Sequence, residues 1–198
     1  MTYGAMRDYV LQLINQYSIA GSRVPMEYND QADLLRRIPA LLRDGVQYVT
    51  TTVRRIRAVA ELAAPEVKGE ILLYDLPEDL FQLLGGLIRL SPEGLVRYHG
   101  HQLLGGRRVA IPRRDQGTYY AEYFRYPHLP LGTPADDAPL DCPPEALGAV
   151  AYYAASHLVM EDNSFLYAAP QSEFERRLAR LEEGTYAVFS PVPDAYGL

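Results

Sequence analysis

Residues 102–111, Gln102-Leu103-Leu104-Gly105-Gly106-Arg107-Arg108-Val109-Ala110-Ile111, decide how this chain is read. Two glycines between two short apolar runs supply the positive φ angles that a tight β-hairpin turn requires. Further strands are expected on either side, at 71–74 (ILLY), 94–99, 107–112 and 118–126. A short helix is expected over 78–84, stopped by Gly85-Gly86. The middle of the chain, about 70–126, therefore reads as a small antiparallel sheet.

The flanks change period from two to 3.6. Met6, Val10, Leu13, Ile14 and Tyr17 place one apolar face on a helix over 3–17. Leu34, Leu35, Ile38, Leu41, Leu42, Val46, Val49 and Val53 do the same over 30–57, with Pro39 expected to kink it or mark its start. Arg54, Arg55 and Arg57 suit the negative end of that helix. Six prolines between Pro127 and Pro144 forbid regular structure there, so the segment reads as an extended connector. Helices over 145–160 and 171–183 follow, the second ending at Gly184. The expectation is an α+β fold: a helical bundle of four to five helices with an inserted small antiparallel sheet. It forms one domain over 1–183, followed by an extended docking tail over 184–198.

A chain of 198 residues, 48% hydrophobic, can bury one sizeable core. It has no apolar run long enough to span a membrane and no basic-then-apolar leader pattern, so a soluble protein made in a cytoplasm is expected. The single cysteine, Cys142, forbids an internal disulfide and fits a reducing compartment. Net charge is −6, and residues 126–175 hold eight Asp or Glu with no Lys or Arg, a block that repels duplex DNA. All but one of the 19 basic residues are arginine, which suits bidentate protein–protein pairing as well as a GC-rich coding genome. Sixteen tyrosines and no tryptophan are an inventory suited to surfaces half-buried against other chains.

Few residues suggest chemistry. His99 and His101 would share one strand face and form half of a metal site, but no third ligand is near in sequence. Asp136, Asp137, Asp141 and Glu145 resemble paired carboxylates, yet they sit in a proline-rich stretch that reads as solvated. Glycine pairs lack phosphate-loop spacing. Arg107, Arg108, Arg113 and Arg114 flank one strand and read as a hairpin facing a partner or a neighbouring subunit. Tyr186, Phe189, Val192, Tyr196 and Leu198 make an aromatic tail suited to docking on a neighbour. No catalytic residue, metal or cofactor is assigned.

Several stretches resemble the head–tail connector, or portal adaptor, family of tailed bacteriophages. These are residues 9–18 (YVLQLINQYS), 28–33 (YNDQAD) and 38–42 (IPALL), followed by 119–127 (YYAEYFRYP), 143–145 (PPE) and 149–155 (AVAYYAA). The larger β-rich middle departs from the smaller all-helical adaptors. The resemblance implies a virion structural protein without catalysis, made in the bacterial host cytoplasm and located in the neck. It implies a twelvefold homo-oligomeric ring that contacts the portal protein on one side and tail or other neck proteins on the other. DNA would pass through without specific binding, with the tail of the chain docking and the four acidic residues facing the lumen. Two alternatives stand beside it: a tail completion or tail-tube-end protein, and a small metal-dependent enzyme using His99 and His101.

Overall fold

The structure is a computed structural model. It describes residues 1–16, 28–92, 94–160 and 164–188, with side chains described except at 15–16, 28–31, 164–166 and 183–188. The chain divides into two compact units, one made of residues 1–54 and 127–198, the other of residues 55–126.

In the first unit, α1 (Tyr3–Gln16) buries Tyr3, Met6, Val10, Leu13 and Ile14. Helix α2 (Tyr28–Thr52) buries Leu34, Ile38, Leu42, Val46 and Val49, a stripe that recurs every three or four residues. Pro39 sits inside α2 without ending it. Helix α3 (Leu147–Val159) follows a 3-10 turn at Pro144–Ala146 and is apolar on almost every side, as befits a helix that packs against α1, α2 and α4 (Ser164–Val188) at once. Its alanines allow close approach. Between Pro127 and Pro143 the chain is extended and runs past the start of α1. There the carbonyls of Ala138 and Asp136 accept from Tyr3 N–H (2.8 Å) and Gly4 N–H (3.0 Å), two of the donors that a helix start leaves unpaired.

The second unit holds two four-stranded antiparallel sheets. One orders β1 (Ile56–Glu61), β8 (Tyr119–Arg125), β4 (Leu80–Ser91) and β5 (Gly94–Tyr98). The other orders β2 (Glu66–Lys68), β3 (Ile71–Asp75), β7 (Arg108–Pro112) and β6 (Gln102–Leu104). Leu72, Tyr74, Leu87, Val109, Ile111, Tyr119, Ala121 and Tyr123 form a core to which both sheets contribute. The buried phenols find acceptors: Tyr74 on Gly117 O (3.2 Å), Tyr119 on Asp115 O, and Tyr123 on the Asp79 carboxylate (2.9 Å). At least five tyrosines (Tyr3, Tyr74, Tyr119, Tyr123, Tyr152) are thus core residues rather than partner surface.

The expected fold, a helical bundle carrying one small inserted sheet, is therefore corrected. The described residues form four helices and two four-stranded antiparallel sheets, a sheet-rich α+β chain. Two misread segments account for the difference. Arg54–Arg57 read as a helix end, but the helix stops at Thr52 and Ile56–Glu61 is a strand with alternating exposure. Residues 78–84 read as a helix, but Leu80–Ser91 is one long strand whose pairing with β8 shifts register between Leu83 and Leu87, where Gly85 takes φ +70°. Beyond the sheets, α4 begins at Ser164, carries Pro170 inside and passes Gly184 to reach Val188, so an extended segment does not start at 184.

Candidate functional site

The β4–β5 hairpin offers the most developed surface. Strand β5 is an edge strand, and the antiparallel register puts Val96 beside Arg89 and Tyr98 beside Leu87 on the core-side face. Arg89, Ser91, Pro92, Val96, Arg97 and Tyr98 line an open cleft of about 390 Å³. The Arg89 guanidinium lies over the Tyr119 ring (6.0 Å to its centroid) and donates to Gln116 O (3.1 Å). The Tyr98 hydroxyl donates to the Asp115 carboxylate (2.8 Å), and burial followed by that bond raises its pKa well above the ordinary phenol value. These contacts fix the cleft wall in place.

On the opposite face of the same sheet, Glu122 is 6% exposed and is held by Arg57 and Arg97, the second at 3.0 Å. The Arg57 hydrogen bond, helped by Arg97 and opposed by burial, lowers its carboxyl below the usual 4.5. Arg55 stacks over Phe81 and Phe124 (5.5 and 5.4 Å) on this sheet. Two half-exposed guanidiniums on one carboxylate leave a surplus positive charge. Around them Val59, Leu90 and Leu95 are exposed.

The residues singled out in the sequence fall differently. Arg107 and Arg108 lie at one end of β7 and Arg113 and Arg114 at the other, roughly 17 Å apart along the strand, so they are not one patch. Arg108 pairs with Asp75 (2.7 Å) and Arg107 donates to Glu78 O (3.1 Å). Of the acidic set, Asp136 pairs with Arg7 (2.6 Å), Glu145 with Arg54 (2.5 Å), and Asp141 accepts from His128 N–H (2.6 Å); Asp137 is exposed. His99 and His101 sit between β5 and β6 rather than sharing a strand face, and among the described residues no three His, Cys, Asp or Glu side chains gather at metal-binding distance. Phe189, Val192, Tyr196 and Leu198 lie outside the described residues, as does the side chain of Tyr186, whose backbone is in α4.

Ser156 and His157 are adjacent (Oγ to Nδ1, 3.2 Å), but both are anchored on the Tyr153 carbonyl one helical turn back, and Ser156 is fully buried. That is helix packing, not an activated nucleophile with access to substrate.

No protein-family model matches the chain, and no curated protein sequence matches it.

Sequence reading does not single out Arg89, Arg97 and Glu122, because they come together only through the pairing of β4 with β5 and β8, which no one segment spells out. It also passed over Leu131, a leucine in the proline-rich connector that is 93% exposed. Its signal was a large apolar residue between Pro130 and Gly132 in a stretch that reads as solvated.

Proposed function

We propose that this chain is a virion structural protein, a head–tail connector adaptor that works by ring contacts between portal and tail while DNA passes through the ring. The reading rests on the resemblance quoted above. The observation that carries it furthest is the β4–β5 hairpin: an edge strand exposed at Gly94, Leu95, Val96 and Arg97, with apolar side chains interleaved with arginines. Leu95 is 66% exposed on an edge strand, where unpaired backbone groups invite another chain. Arginine amid apolar residues is the composition of protein–protein contact surfaces, and arginine is the residue that best meets a partner's carboxylates.

In this reading the residues act by docking rather than by catalysis, and no cofactor is required. The test is biochemical. Purified chain is mixed with the portal protein encoded in the same viral genome, and the complex is sized by analytical ultracentrifugation and imaged. A ring of this chain on the portal face is expected. Failure to bind portal, with stoichiometric binding to tail proteins, would instead favour the tail-completion assignment.

A further inference from the structure

We propose that the connector segment 131–137 of one copy of this chain docks in the β4–β5 cleft of the next copy, with Leu131 against Val96 and Pro92 and the exposed Asp137 carboxylate facing Arg89. The inference deepens the ring reading and rests on it. Leu131 is 93% exposed, and Gly132 takes φ +97°, a left-handed conformation that turns the chain just after it. An apolar knob is thus held on an ordered connector, with two carboxylates a few residues on. Asp136 is held by Arg7 (2.6 Å) and Asp137 is exposed.

The cleft is the matching half. It combines apolar walls with the Arg89 guanidinium, and Val96 is 51% exposed within it. Charge division along the chain favours the same pairing. Residues 55–126 hold ten basic and nine acidic residues, net +1, whereas the remainder holds nine basic and sixteen acidic, net −7. The strongly acidic unit repels its own copy whereas the nearly neutral sheet unit does not, so charge favours contact between unlike units, head to tail. A contact that uses two different surfaces leaves each copy with one of each still open, which is how a ring grows and closes.

Two exposed positions test it without touching either core: Leu131→Asp and Val96→Glu. Sedimentation velocity is run at low and high salt on wild type, on each variant, and on their equimolar mixture, with circular dichroism and melting temperature as folding controls. Expected results are salt-sensitive assembly of wild type and, for each variant alone, self-association weakened by about tenfold or more. The mixture should form a dimer that cannot extend, because one intact knob meets one intact cleft. Wild-type assembly untouched by either substitution overturns this contact and leaves the ring reading standing. Two monomeric variants whose mixture stays monomeric overturn the head-to-tail arrangement. Wild type that is monomeric alone and on purified portal overturns both readings. Salt-labile binding of a single-stranded oligonucleotide, lost in Val96→Glu while assembly persists, overturns it in favour of nucleic acid.

Discussion

Glu122 has two guanidiniums beside it and almost no water, and its chemistry follows from that. The carboxylate lies below its ordinary 4.5 because the charged form accepts from Arg57 and Arg97. A lowered folded pKa means that the stabilisation is complete above the ordinary carboxylate value and is lost as pH falls through it toward the folded value. Both arginines are more than half exposed, so solvent screens the pair. Glu122→Gln is therefore expected to cost only about 1 kcal/mol at neutral pH, with the difference from wild type shrinking as pH drops below 4.5. Urea unfolding at a series of pH values reads both the size and the sign. Cys142 shows the opposite case. Burial, with Asp141 and Glu145 nearby, pushes its thiol up to about 12. Its reaction with a thiol reagent at mildly alkaline pH should be at least about a hundredfold slower than that of free cysteine, because the thiolate is the nucleophile. Prompt stoichiometric labelling of the folded chain would contradict that.

Helices α2 and α3 meet where Gly45 faces Tyr153. A Cβ added at Gly45 would lie 2.8 Å from Tyr153 Cδ1, and that ring is stacked on Tyr48 and His157 with Phe174 at its edge, so it has nowhere to go. Glycine to alanine in a helix normally gains up to about 1 kcal/mol, but here overpacking at about 1–3 kcal/mol wins. Gly45→Ala should lower the melting temperature. Gly148→Ala makes the contrasting pair. Its new methyl meets only the far end of the Arg177 side chain, which can swing away, and the expected change is neutral to about 1 kcal/mol stabilising. Thermal melts of the two variants decide it. At this scale the sequence was legible wherever one period dominated: the apolar stripe of α1, the long run of α2, and the Gly105-Gly106 turn, where both glycines take positive φ. It misled at β4, where Leu80, Phe81, Leu83 and Leu84 fit helical spacing as well as a strand. A bulge at Gly85 looks locally like a helix cap. It also misled at β1, since arginines at a helix end and arginines on an exposed strand face are the same letters. The cleft was illegible for the same reason: it forms only once β4 pairs with β5.

The described residues form two hydrophobic cores that share no residue, one in the helical unit and one in the sheets. A cut in one should be felt there first. Leu87→Ala removes a fully buried side chain from the sheet core and is expected to cost about 2–5 kcal/mol. Amide exchange should accelerate within residues 55–126 before it does in α2 and α3; uniform acceleration along the chain would show a single cooperative core instead. The proposed function rests on resemblance and charge, because contacts between copies are properties of surfaces that no local pattern spells out. The adaptor reading demands a place in the particle between portal and tail, which the tail-completion and enzyme readings do not. Cryo-electron microscopy of intact virions from the encoding phage tests it most directly. The account predicts a ring of this chain between portal and tail, each copy's connector segment against its neighbour's β4–β5 hairpin. Purified, DNA-filled particles with complete tails and no density for the chain at the neck would contradict it.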